Sequence, residues 1–382
     1  MSDPADHAYR DLQVALVHYW FVTWRGGEKV VEAILKLFPR ADVYTLFLDP
    51  EMGRERLRGH EVHTSFLDLP LARRHHRKLL PLYPRAVRSL RLRKRYDLVI
   101  SSESGPAKGI PNPDRIPHLC YVHSPMRYCY GFTEPYLKTL PGPLRPLARR
   151  LLGRVRTWDQ STVADVGLYV ANSRNVAERV RRYYRREARV CYPPIAAELF
   201  VGPPARKAPK HWVTFGALAP YKNVGLVVET FNRSGRPLVV IGDGSEGRRL
   251  QRSAAANVRF TGSLPWPEVR PLLEESNALV FPGEEDFGMV PLEAMALGIP
   301  VVAYGRGGAL ETVVENPGDP ERSSGVFFHE PTPESLQEAL GRLEAIRDRL
   351  DPQWMQDHAR AFGEDRFREC FLGAVGELLG GG

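Results

Sequence analysis

Cysteine is scarce: four residues in 382, Cys120, Cys129, Cys191 and Cys370, with no paired metal-ligand spacing and no dense disulfide framework. A reducing, cytoplasmic setting is the expectation. No uninterrupted apolar run approaches the ~18 residues that a membrane-spanning helix needs, and the opening MSDPADHAYRDLQ has neither the basic nor the apolar section of a secretory leader. The Asp-x-Asp pair that often holds a divalent ion does not occur. No nucleic-acid recognition motif accompanies the pI of 9.3. Low-complexity segments are missing as well. Together these absences exclude a disulfide scaffold, a membrane channel and a nucleic-acid reader.

What is present is an ordinary globular composition, 43% hydrophobic and 26% charged, over a length that favours two domains. The net charge of +8 hides an asymmetry. Residues 1–209 carry 36 Lys+Arg against 20 Asp+Glu, whereas residues 210–382 carry 17 against 25. The two parts are expected to meet different partners, the first an anionic one. Residues 72–95 alone hold ten Lys+Arg and no acid. That segment, with further basic stretches at 144–156 and 180–189, suits contact with anionic lipid head groups.

The chemistry concentrates in residues 281–298, FPGEEDFGMVPLEAMALG, between the apolar runs NALVF and IPVVAYG. The pattern reads as strand, loop, short helix, strand. Pro291 fits the first turn of the helix and Gly298 the left-handed position after its end. Glu285 falls in the loop and Glu293 near the helix start, so two carboxylates flank a helix N-terminus. Amides of Phe287, Gly288, Met289 and Val290 open into the same space, where the helix dipole favours an anion. Carboxylates accept from hydroxyls and amides donate to phosphates, a combination suited to a nucleotide sugar.

Similar strand and loop units recur along the chain. LQVALVHYW is followed by a loop holding Arg25, Gly26, Gly27 and Glu28 before the amphipathic KVVEAILKLF. HLCYV places His123 just past a strand, where ligands collect in open α/β sheets. The proline-rich residues 194–209 form the expected linker. Beyond it, Lys222 ends a loop after HWVTF, Gly242 opens a GDG turn after PLVVI, and GRGGALETVV is expected to lead into a helix. Two Rossmann-like domains facing across a cleft follow: residues 1–193 and 210–352, with C-terminal helices over 353–382 crossing back toward the first domain.

The Glu285-x7-Glu293 spacing enclosing Phe287-Gly288, Lys222 after GALAPYKN, the GDG at Gly242 and the GGEK near the start resemble retaining glycosyltransferase family 4, of GT-B fold. HSPMRY and SSESGPAKG resemble its bacterial O-antigen and capsule mannosyltransferase subgroup. The resemblance covers nearly the whole chain. It implies that Glu285 binds donor-sugar hydroxyls, Glu293 holds the ribose, and Gly288 to Val290 support sugar or phosphate. It also implies that Lys222 neutralises the departing diphosphate, His123 contacts the transferred sugar, and Gly26 and Gly27 approach the phosphates. The family carries an arginine five positions before the lysine, where this chain has Ala217; Arg25 is the candidate substitute.

The implied reaction is metal-independent transfer of a hexose with retained configuration, without a cofactor. The donor is a nucleoside diphosphate sugar, GDP-mannose first and UDP-hexose next. The acceptor is a glycan or polyprenyl-diphosphate-linked hydroxyl at the inner face of the cytoplasmic membrane, in cell-surface polysaccharide synthesis. The alternatives are a soluble sugar-phosphate or disaccharide synthase and a nucleotide-sugar-binding scaffold without catalysis.

Overall fold

Runs of three to six residues rich in Val, Leu and Ile become strands, most of them buried on both faces, which is the signature of parallel sheets covered by helices. A computed structural model describes residues 9–138, 140–200, 202–204 and 208–380. The chain divides into two compact units, one of Met1–Tyr192 with Phe367–Gly382 and one of Pro193–Arg366.

The first unit contains β1 (Val14–His18), β2 (Asp42–Thr45), β3 (Val62–Thr64), β4 (Leu98–Glu103), β5 (His118–Val122), β6 (Leu168–Ala171) and β7 (Ala188–Val190). They form one parallel sheet in the order β3-β2-β1-β4-β5-β6-β7. Separate apolar clusters fill its two faces. Phe367, Phe371 and Val375 of the last helix, Glu364–Gly380, join the cluster around Ile34 and Phe38. The strand order turns around between β1 and β4.

The second unit contains β8 (His211–Phe215), β9 (Leu238–Ile241), β10 (Val258–Gly262), β11 (Ser276–Phe281), β12 (Val301–Tyr304) and β13 (Gly325–Phe328), all parallel in the order β10-β9-β8-β11-β12-β13. Here the order turns around between β8 and β11. Each unit is thus a doubly wound α/β fold, a type that binds ligands beside the carboxyl ends of the strands where the order turns around.

Several local expectations change. The first helix begins at Gly26, so both glycines lie in its first turn rather than in the preceding loop, and Arg25 becomes the capping residue. The helix after GRGG is one turn, Ala309–Thr312, because the β-branched Val313 leaves in an extended conformation and Val314 bonds to Ser324. Of the C-terminal helices, Pro352–Arg360 packs on the second unit against Met289–Ala296, and only the part from Phe367 belongs to the first. Of the expected linker, residues 201 and 205–207 lie outside the described residues, as do 1–8 of the polar N-terminus. No described helix is long and apolar enough to cross a membrane.

Candidate active site

At the carboxyl end of β8 the chain makes a single 3-10 turn, Pro220–Lys222, closed by Asn223 in the left-handed region. At the adjacent end of β11 the 282–288 loop carries Glu285. The Lys222 Nζ and a Glu285 carboxylate oxygen form an ion pair, with side chains 20% and 17% exposed. Both charges therefore sit at the turnaround of the sheet, largely shielded and matched to each other.

The loop is held in place by glycines from the next connection. Gly308 N donates to the Glu285 carbonyl at 2.8 Å, and Gly307 pairs with Glu285 as an isolated parallel bridge. A Cβ on Gly308 would stand 2.2 Å from Phe287 Cα, so only glycine allows this approach. Phe287 is buried and packs on Phe362 with ring centroids 5.9 Å apart. Gly288, with φ 85°, caps the helix Met289–Ala296, leaving Met289 and Val290 half-buried in its first turn and Glu293 7% exposed one turn later. Pro291 is the third helical residue, and Gly298 has φ 75° just past the end. Ala217, half-buried after β8, offers no charge to this group.

Gly242 has a packing reason of its own. It follows β9 with φ 130°, and a Cβ there would lie 1.9 Å from the Gly216 carbonyl oxygen.

In the first unit, the ends of β1, β4 and β5 bring together a chain of polar side chains. His18 Nδ1 lies 3.0 Å from Ser102 Oγ, which lies 2.8 Å from His123 Nε2. On the other side, His18 Nε2 is 3.7 Å from Glu28 Oε1, and Glu28 Oε2 accepts from the Arg25 amide at 2.9 Å. Burial opposes ionisation of Glu28, but bonding and attraction to His18, with the Glu28 and Arg25 amides, outweigh it and hold the carboxyl below its ordinary value. Glu28, His18, Ser102 and His123 thus stand in series, the Ser102 hydroxyl able to donate to one imidazole and accept from the other. A Cβ on Gly27 would be 3.7 Å from His123 Nε2, so the first helical turn borders that ring. Arg25 is exposed beside it.

Behind β4 lies a buried ionic cluster. The Lys108 ammonium bonds to Asp159, stands 3.8 Å from Glu103 Oε1 and lies 4.7 Å from the centre of the Tyr184 ring. Tyr130 donates to Asp159 Oδ2 at 2.7 Å. Burial raises the Glu103 carboxyl to about 7, and the Asp159 charge adds to this against Lys108 and the Lys108 and Ala107 amides. The folded protein keeps this proton up to about pH 7, whereas the unfolded chain releases it near 4.5, so stability from this group falls as pH rises between these values. Glu103→Gln is expected to remove that decline, worth about 3 kcal/mol over the interval. Melting temperatures recorded across the same pH range check it.

The structure thus brings Lys222, Glu285, Phe287, Gly288, Met289, Val290 and Glu293 to one end of the second sheet, and Arg25, Gly26, Gly27 and His123 to one end of the first. Sequence reasoning did not assign His18, Ser102, Gly307 or Gly308. The Ser-Ser-Glu-Ser and Gly-Arg-Gly-Gly stretches were the available signals for three of them; His18, inside an apolar run, gave none. Among the described residues, the group close enough to hold a metal is Asp42, Glu61 and His63, at the β2–β3 edge, where the Lys94 ammonium already bridges the two carboxylates at 3.1 and 2.8 Å.

The sequence and the fold both resemble those of known proteins. Residues 24–199 match the family model "Glycosyltransferase Family 4" and residues 197–360 match "Glycosyl transferases group 1". A GDP-mannose-dependent alpha-mannosyltransferase of Mycolicibacterium smegmatis is 29% identical over 188 residues, 49% of this chain and 44% of that protein. The D-rhamnosyltransferase WbpZ of Pseudomonas aeruginosa is 26% identical over 278 residues, 68% of each chain. Several of the curated relatives are matched over less than half of their own length. Among solved structures, HepE of Anabaena in complex with UDP superposes with a TM-score of 0.68 at 16% identity, covering 95% of this chain and 99% of that one. This likeness concerns the fold.

Proposed function

A chain matched over residues 24–360 by these two models belongs to the family 4 glycosyltransferases of GT-B fold, and from that premise we propose that it transfers a hexose with retained configuration. The donor is a nucleoside diphosphate sugar and the acceptor a hydroxyl of a glycan or lipid-linked glycan in cell-surface polysaccharide synthesis. The observation that carries the reading is the Lys222–Glu285 pair at the β8/β11 turnaround.

Without ligand each charge satisfies the other. A diphosphate arriving at the Met289–Ala296 helix N-terminus competes for the Lys222 ammonium and releases the Glu285 carboxylate to accept hydrogen bonds from sugar hydroxyls. Glu293 takes the ribose. Cleavage of the bond between the anomeric carbon and phosphate oxygen leaves negative charge on the diphosphate, which Lys222 and the helix amides stabilise without a metal ion. The departing phosphate oxygen takes the acceptor hydroxyl's proton as the new bond forms on the same face. Within the first unit, Ser102, His18 and Glu28 orient His123 at the sheet end where sugar hydroxyls would be met, and Arg25 with Gly26 and Gly27 offers a basic helix start suited to phosphate.

GDP-mannose is the proposed donor, supported by the name and similarity of the mycobacterial relative. A lipid-linked acceptor places the protein at the inner face of the cytoplasmic membrane, consistent with the basic first half. A thermal-shift series with nucleotide sugars tests the donor, since a ligand at 100 times its Kd adds about 2.7 kcal/mol to folded-state stability. GDP-mannose is expected to give the largest rise. A larger rise with UDP-hexose reassigns the base, and no rise with any nucleotide sugar overturns the reading.

A further inference from the structure

Eight large apolar side chains are exposed among the described residues, and six of them lie in two segments of the first unit. Phe66, Leu69, Leu71 and Leu82 come before β4; Leu144 and Leu147 stand at the start of the Arg145–Ser161 helix. Leu69 and Leu71 are 60% and 71% exposed. The segments are neighbours, since the turn His76–Leu82 packs against the Arg145–Ser161 helix.

The outward residues are presented by an anchored backbone. Between them, Leu67 is buried, Ser65 Oγ donates to the Leu46 carbonyl at 3.0 Å and accepts from the Leu67 amide at 3.1 Å. Asp68 accepts from the Leu48 amide at 3.0 Å and from Arg73 Nε at 2.6 Å. On the helix, Leu152, Val155 and Trp158 face the core while Leu147 and half-buried Leu151 form a second stripe. Exposed Arg74, Arg77 and Lys78 flank the first segment, and exposed Arg150 and Arg154 flank the second. Large exposed apolar side chains gathered on neighbouring segments with basic residues beside them are uncommon on a surface without a partner.

We propose that this face docks on an anionic lipid bilayer. Phe66, Leu69, Leu71, Leu144 and Leu147 enter the boundary between head groups and acyl chains, and the surrounding arginines and Lys78 meet lipid phosphates. The charge selects this occupant: a second copy using the same patch would bring one basic rim against another. The proposal rests on the membrane-facing reading above, and it adds which residues carry the contact.

Co-sedimentation of the full chain with vesicles tests it. Binding is expected to phosphatidylglycerol vesicles and not to phosphatidylcholine vesicles, and to weaken as salt rises. Leu69→Ser with Leu71→Ser and Leu147→Ser is expected to lower the partition coefficient at least tenfold, as is Arg74→Gln with Arg77→Gln and Arg150→Gln. All of these positions are exposed, so the melting temperature and the shift produced by a nucleotide sugar should stay unchanged. That second readout separates failure of the docking surface from failure of the glycosyltransferase reading. Equal binding to both vesicle types, binding indifferent to the substitutions, or a solution dimer dissolved by the Leu→Ser changes would overturn the proposal.

Discussion

Replacing Lys222 by methionine is expected to lower kcat by about 10²–10³-fold, the range for loss of one preorganised group at a developing negative charge. Donor affinity should change less, because the ammonium gains most when the diphosphate departs. Glu285→Gln is expected to reduce turnover to a similar degree for a different reason: it keeps the shape of the side chain but weakens acceptance from sugar hydroxyls and leaves Lys222 without its partner. The two losses should not add. In the double variant neither group is stranded, so its kcat/KM is expected to exceed the product of the single effects. Strictly additive losses would show that the ion pair observed without ligand has no part in the reaction.

Gly242→Ala is expected to destabilise the second unit by an amount on the order of 4 kcal/mol. A Cβ 1.9 Å from the Gly216 carbonyl oxygen meets backbone on the neighbouring turn, and φ 130° is a conformation that alanine rarely adopts. Urea unfolding monitored by tryptophan fluorescence measures the loss. Gly27→Ala is the contrasting control: it lies in a helical turn, and its Cβ would meet His123 at an ordinary 3.7 Å. Its midpoint should match the wild type, so any effect on donor binding would report on the site rather than the fold.

Much of this architecture could be read from residue order. The apolar runs marked the parallel strands, and FPGEEDFGMVPLEAMALG gave strand, loop and helix with Gly298 in the left-handed region. The Glu285 to Glu293 spacing could be read locally because one loop and one short helix contain both. What could not be read depends on distant segments meeting. The contact between Gly308 and Phe287 requires the β12 connection to fold over the β11 loop. His18 gives no local signal, because its meaning comes from Ser102, 84 positions away on the neighbouring strand. Lys108 reads as one more basic residue until Asp159, 51 positions later, is packed against it. The basic character of residues 72–95 was plain, but which leucines face outward was set by Ser65, Leu67 and Asp68 bonding back to the core.

The central claim is retaining hexose transfer that depends on the Glu285 carboxylate. Proton NMR of the sugar first released from α-linked GDP-mannose by the purified chain, without acceptor, tests it most directly. The expected result is α-mannose appearing first, with release abolished in Glu285→Ala. The β anomer appearing first, or release undiminished in that variant, would contradict it.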